Sequence, residues 1–259
     1  MLFIVTASSE FFTPNPLGVP GGASASVFTR YESRFRAGEI LADLIKKEKK
    51  SLHDQLLEHP EKFFCFAIPN GGIPVAEGFC SKLDIGYDML IVRKMKIPFN
   101  PEAGFGSMTT DGTILINEAL LNNLNLSEKQ INESIELTKQ EIKERFKFYK
   151  KESNQENEYK KHVENKQVFM IDDGLASGFT MLAAIKMVKK YNPMKIYVAV
   201  PTSPLSSTNR VGPQVDEIFC PNVRNVWRFA VADAYKHWYD VPESEVVEIL
   251  NNSKYYLKN

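Results

Sequence analysis

Neither sign of charge dominates this sequence: lysine plus arginine and aspartate plus glutamate each total 32 in 259 residues. With no net field to draw the chain to nucleic acid or to a membrane, any anion it binds must be held by local features. Cysteine is scarce. Cys65, Cys80 and Cys220 show no paired spacing, and an odd count argues against a disulfide framework. Cys65 and Cys80 lie in apolar segments, and reduced, buried thiols are expected. The four histidines are scattered, without the spacing of a metal-ligand set. No apolar run is long enough to span a bilayer. The opening MLFIVTASSE holds a short apolar run with no basic segment before it, so no signal peptide is expected. No internal repeat occurs. These absences lead to the expectation of a cytoplasmic globular protein, and 43% hydrophobic with 25% charged residues suits one.

What is present is a rhythm. The run FFCFAI at 63–68 ends in Pro69-Asn70-Gly71-Gly72 and leads into an amphipathic stretch at 73–83, reading as strand, tight turn and helix. Residues 87–92 (YDMLIV) and 113–116 are further strand candidates. VFMI at 168–171 runs into Asp172-Asp173-Gly174 and then a helix at 180–191; KIYVAV at 195–200 is stopped by Pro201 and Pro204. Continuous apolar strands alternating with helices predict an α/β fold: an open, mostly parallel sheet covered by helices on both faces. Two regions break the rhythm. Residues 95–112 are rich in Pro, Gly and Asn, and read as a long loop of the kind that serves as an active-site lid. Residues 127–151 open with Ser127 and Gln130 in a capping pattern. Ile131, Ile135, Ile142, Phe146 and Tyr149 then recur at helical spacing, predicting one long helix. Residues 152–166 are almost wholly polar. The reading is a single domain over 1–259 with a helical excursion at 127–166 and a small hood or tail from about 219 to 259.

The segment with chemical content is VFMIDDGLASGFT, residues 168–180. In open α/β sheets ligands sit at the carboxyl ends of strands, and two adjacent acids there have no packing role in an apolar context. Alternation points Asp172 and Asp173 in different directions, so one can face a ligand's hydroxyls while the other supports it or faces a hydrated metal. The loop Gly174, Leu175, Ala176, Ser177, Gly178, Phe179, with Thr180 at the helix start, offers backbone N–H groups and two hydroxyls. The helix dipole adds roughly +0.5 of a charge. That set suits a phosphate monoester. It is not a P-loop, whose lysine is missing.

At this point the chain resembles the type I phosphoribosyltransferase family, whose fingerprint is four apolar residues, two acids and a Thr/Ser-Gly-x-Thr loop. A prokaryotic subfamily of predicted members has V-D-D-G-I-A-T-G-x-T-M where this chain has IDDGLASGFTM at 171–181, with Ser177 in place of threonine. The resemblance covers most of the chain beyond Tyr31. YESRFRAGEILA at 31–42 resembles the family's first helix, with Ser33 where an aspartate is usual. AIPNGGIPVA at 67–76 resembles its P-R-G-G-x-P-V-A turn, with Asn70 for arginine. VRKMKIPFNPE at 92–102 resembles its V-R-K…N-P-E segment, and FAVADAYKHW at 229–238 its closing motif, with Ala232 near the usual glycine.

The resemblance implies a transferase that moves the phosphoribosyl group of phosphoribosyl pyrophosphate to a nitrogen acceptor, a nucleobase being one option, with Mg2+ as cofactor. By resemblance Asp172 and Asp173 take the ribose hydroxyls directly or through magnesium waters, and residues 176–180 take the 5′-phosphate. Pro69, Asn70, Gly71 and Gly72 take the pyrophosphate, with the non-proline cis peptide that the family shows. Arg93 and Lys94, read as ending a strand at the same edge, can supply the positive charge that Asn70 lacks. Trp227, Phe229 and Tyr235, with Trp238 and Tyr239, resemble the family's hood over the acceptor, although core packing explains aromatics equally well. Arg30, Arg34 and Arg36 read as a solvated helix face. The implied partners are phosphoribosyl pyrophosphate and a small acceptor, with no nucleic acid or membrane; a homodimer is compatible. Two other readings stay open: a non-catalytic regulator that binds the same ligand, and a different doubly wound protein such as an aspartate-based phosphatase. The D-x-D pattern which that phosphatase needs is absent.

Overall fold

A computed structural model describes residues 5–6, 12–13, 27–149 and 155–258. In chain order its elements begin with β1 (Val5–Thr6), β2 (Phe12–Thr13), β3 (Val27–Phe28), α1 (Arg34–Glu48), α2 (Lys50–Glu58), β4 (Phe63–Ala67), α3 (Gly72–Leu83) and β5 (Tyr87–Met89). They continue with β6 (Val92–Ile97), β7 (Asn100–Thr109), β8 (Ile114–Ile116), α4 (Glu118–Leu121), α5 (Glu128–Phe148), α6 (Gln155–Val163), β9 (Gln167–Ile171) and α7 (Phe179–Lys189). The last are β10 (Lys195–Ala199), β11 (Thr202–Pro204), α8 (Leu205–Val211), β12 (Glu217–Phe219), β13 (Asn222–Arg224) and α9 (Glu243–Asn252).

The main sheet has six strands in the order β1-β12-β10-β9-β4-β5, every pair parallel. Its central strands are buried on both sides, which is why they read as unbroken apolar runs. Alternation divides them between two cores. Phe63, Cys65 and Ala67 of β4, with Phe169 and Ile171 of β9, pack toward α1 and α3. Phe64 and Phe66, with Val168 and Met170, face α7 and the buried Tyr159 and Val163 of α6. All three cysteines are free and buried, and burial pushes the Cys220 thiol up to about 12.

On the first face α1 and α3 meet backbone to backbone. A Cβ on Gly38 would overlap the carbonyl oxygen of Val75, and one on Gly78 that of Phe35. Only glycine at both positions allows this approach.

The stretch 95–112 is not an irregular loop. It forms most of an antiparallel sheet, β6-β7-β8, in which Met95, Ile97, Phe105 and Met108 are buried. Its glycines misled the reading: Gly104 lies under the Lys94 side chain and Gly106 under Met95, and the register shifts around Lys96 as it does at a bulge. The strand expected at 113–116 joins this sheet, not the parallel one. The long helix is α5, capped by the reciprocal Ser127–Gln130 pair. The polar stretch after it is in part the helix α6; residues 150–154 lie outside the described residues. Among the described residues no helix is long and apolar enough to cross a membrane.

Candidate active site

Parallel pairing of β4 with β9, Ala67 opposite Ile171, brings the two strands' carboxyl ends side by side. The ladder runs one step further, the N–H of Ile68 donating to the carbonyl of Ile171 (2.9 Å). The turn 69–72 therefore lies directly against Asp172 and Asp173. A Cβ on Gly71 would overlap the Asp173 carboxylate, and one on Gly72 would come within 2.9 Å of the Ile171 carbonyl and 3.1 Å of Asp172 Cα. The two glycines are there because the acids are there. The expected cis peptide is present between Pro69 and Asn70.

The acids are held differently. Asp172 Oδ1 accepts from the N–H of Asp173 (2.8 Å). Asp173 Oδ2 accepts from Nε of Arg34 (2.8 Å), with these side chains 15% and 5% exposed. Arg34 also donates to the Tyr239 carbonyl (2.9 Å) and lies 4.2 Å from the centre of the Trp238 ring. Burial pushes the Asp172 carboxyl well above the usual carboxylate range, and the charge of Asp173 adds to the push. Burial raises Asp173 too, while Arg34 pulls the other way. Two carboxyls this close and this buried disfavour each other's ionisation, and a cation or hydrogen-bond donor beside them would favour it. The reading of Arg34 as solvated is overturned: α1 turns it inward, while Arg30 and Arg36 are exposed and Arg36 pairs with Glu39.

The loop that follows the acids is braced by neighbouring elements. Leu175 N–H donates to the Thr202 carbonyl (3.0 Å), Ser207 Oγ to the Ala176 carbonyl (2.6 Å), and Arg210 to the Ser177 carbonyl. Gly178 has φ +80°, and an added Cβ would meet Val211 at 3.0 Å. Among the described residues the N–H groups of Ala176, Ser177, Gly178, Thr180 and Met181 find no protein acceptor. Carbonyls tied back and N–H groups without a protein acceptor at a helix start are the features an anion site would use.

The other predicted residues are distributed less simply. Tyr235 donates to the Asp173 carbonyl (2.7 Å), so the hood touches the acids. Trp227 is 98% exposed, and Phe229 is half-buried with Arg224 over its ring at 6.0 Å. Plain core packing explains neither. Arg93 and Lys94 do not end a core strand. They open β6, whose alternation sends them to opposite faces: Arg93 pairs with Glu141 (3.3 Å), and the exposed Lys94 donates to the Glu102 carbonyl (2.6 Å).

The sequence reading missed a group around Asn70. Its Oδ1 accepts from Nη1 of Arg145 (3.0 Å) and from the Tyr149 hydroxyl (3.2 Å), and its Nδ2 donates to the Val241 carbonyl (2.8 Å). Arg145 also pairs with Glu243 (3.0 Å). A signal existed: Arg145 falls three residues after Ile142 and four before Tyr149, a cation on the apolar stripe of α5. A separate cavity of about 1030 Å³ at the far end of α7, lined by residues including Asp111, Lys143, Lys147 and Tyr191, shares no residue with this site. Among the described residues no cluster of three or more His, Cys, Asp or Glu side chains is arranged for a metal.

A model of the phosphoribosyl transferase domain matches residues 36–234. The chain belongs to that family. Two candidate phosphoribosyl transferases of Mycobacterium tuberculosis, Rv0571c and MT0597, are each 26% identical to it over 186 residues, covering 72% of this chain and 41% of theirs. The chain thus spans about two fifths of the length of these curated relatives. Among solved structures, TT1426 from Thermus thermophilus superposes with a TM-score of 0.64 at 23% identity, covering 85% of this chain and 97% of that one, a likeness of fold. The family match takes in the turn 69–72, the acid pair and the loop 174–180, and it ends just before Tyr235.

Proposed function

We propose that this phosphoribosyl transferase domain binds phosphoribosyl pyrophosphate and transfers its phosphoribosyl group to a nitrogen atom of a small acceptor, releasing diphosphate. One observation carries the reading: the turn 69–72 packs against Asp172 and Asp173, whose chain leads straight into the N–H nest at 176–181. A ribose bearing a phosphate at one end and a diphosphate at the other needs three such subsites in that order.

In this reading the nest takes the 5′-phosphate, Asp172 and Asp173 accept from the ribose hydroxyls, and the N–H groups of the turn take the diphosphate. The C1–O bond breaks with its electron pair leaving on diphosphate, a C1–N bond forms, and the acceptor's proton passes to solvent. Positive charge grows on the ribose beside two carboxylates, which favours their ionised forms and lowers the barrier. The donor set fits Mg2+, which takes oxygen ligands and keeps several waters. Asp172 and Asp173 are the protein's share; Asp173 already has Arg34, and the burial of Asp172 beside a second acid is what a nearby cation would relieve. Bound there, the ion would neutralise charge on the leaving group. In this reading the exposed Trp227 and the half-buried Phe229 offer ring faces to a planar acceptor, with the buried Tyr235 tying that segment to Asp173, and a nitrogen heterocycle such as a nucleobase suits such faces. The same reading has the protein act in the cytoplasm on small molecules, without nucleic acid.

The second reading, a regulator that binds this ligand without turnover, is favoured by Asn70, a neutral residue in the diphosphate turn. The test mixes the protein with phosphoribosyl pyrophosphate, Mg2+ and a panel of nitrogen bases and follows diphosphate release. Release that depends on one base is expected. Tight binding with no release for any base sinks the enzyme and leaves the regulator.

A further inference from the structure

The turn 69–72 consists of a proline, an amide and two glycines, and it faces two acids. An anion with the charge of diphosphate needs a cation there, and the turn has none. Of the nearby cations, Arg34 is bound to an acid of the site itself, Asp173, Arg93 pairs with Glu141, and Lys94 projects from the exposed face of β6. Arg145, itself paired with Glu243, is the cation that touches the turn directly among the described residues, through Asn70. We infer that Arg145, carried in by the helical excursion, is the cation of the diphosphate subsite, held in place by Asn70.

The inference rests on the proposed function and deepens it. Asn70 is not a weak substitute for a cation; it is the clamp for one. Its Oδ1 receives both Arg145 Nη1 and the Tyr149 hydroxyl, while Nδ2 is tied to the Val241 carbonyl, so the amide is fixed and its oxygen faces α5. Arg145 is 21% exposed, neither sealed in the core nor free in solvent. Its Nη1 is taken by Asn70 and Tyr149 and its Nη2 by Glu243, but Nε meets no acceptor among the described residues. Glu243, 38% exposed at the first turn of α9, is the partner that an incoming diphosphate would displace. A guanidinium is the natural partner for phosphate oxygens because its planar fork matches their geometry.

The test measures diphosphate and ribose 5-phosphate affinity by titration calorimetry in the presence of Mg2+. Arg145→Gln is expected to weaken diphosphate about 10-fold or more, the loss of about 1.4 kcal/mol, and to leave ribose 5-phosphate unchanged. Arg145→Lys should recover part of the loss, and Asn70→Arg placed in Arg145→Gln should recover more, because it returns a cation to the vacated space. Glu243→Gln, which removes the competing carboxylate, should tighten diphosphate; a purely structural ion pair would give no gain. Unchanged diphosphate affinity in Arg145→Gln, equal loss for both ligands, or no gain in Glu243→Gln overturns the assignment. If Arg145→Gln does not fold, Glu243→Gln alone decides. Wild-type protein that binds ribose 5-phosphate but not diphosphate removes the subsite while sparing the phosphate nest. Protein that binds neither overturns the proposed function as well.

Discussion

The loop after β9 carries two acids, two hydroxyls and its N–H donors in one unbroken stretch, 172–181. The turn after β4 carries little of its own, and is completed by Arg145 and Tyr149 from α5 and by the Val241 carbonyl near the chain's end. Both lie at the same edge of one sheet. A site built from contiguous residues tolerates changes elsewhere as long as its strand stays in place. A composite site depends on every element that reaches it.

Substitutions can break or sharpen that contrast. The largest effect is expected at Arg34, the residue that makes even the contiguous loop depend on a distant helix. Arg34→Leu leaves the largely buried Asp173 carboxylate unpaired and should cost about 3 kcal/mol of stability, read by urea denaturation. Adding Asp173→Asn should recover much of the loss; additive effects would mean the pair is not coupled. Gly178→Val comes next. A β-branched residue at φ +80° with Val211 at 3.0 Å should cost about 1–3 kcal/mol and weaken ribose 5-phosphate about 10-fold or more, by calorimetry. Retained affinity would refute the nest.

Asp172→Asn tests the charge itself. Because the folded carboxyl titrates above its unfolded value, its ionisation costs stability as pH rises through the range between the two, and that cost persists at neutral pH. Removing the charge should therefore raise Tm at pH 7 while ligand binding falls, and the gain should vanish in acid, below the unfolded pKa. Each pKa unit corresponds to about 1.4 kcal/mol, and each kcal/mol to about 2–4 °C in a protein near this size. A Tm that drops at pH 7 would show Asp172 to be a structural anion. The smallest effect belongs to Ser177→Thr, whose affinity should stay within about twofold of wild type because the hydroxyl is kept.

How much was legible follows the same division. The parallel sheet could be read because β4, β9 and β10 are buried on both faces and so are apolar without interruption. The loop 172–181 stood out in the sequence because its acids, hydroxyls and glycines lie in consecutive residues. The antiparallel sheet could not be read: Gly104 and Gly106, which mark loops in most contexts, here make room for Lys94 and Met95 across the ladder. Arg34 and Arg145 were obscured for another reason. A charged residue on a helix is usually solvated, and only the tertiary structure shows that Arg34 meets Asp173, 139 positions away, and Arg145 meets Asn70, 75 away. Arg93 and Lys94 were expected to end a core strand and instead lie near the start of β6 in the other sheet, where adjacency in sequence means opposite directions.

The close crossing of α1 and α3 has a mechanical consequence. Gly38 lies one turn beyond Arg34 on the same rigid rod, and packed interiors transmit strain rather than absorb it. A methyl group at Gly38 or Gly78 would lever α1 outward and swing its first turn, carrying the guanidinium away from the acid pair. The ion pair between Arg34 and Asp173 therefore depends in part on how closely two helices fit one turn further along α1.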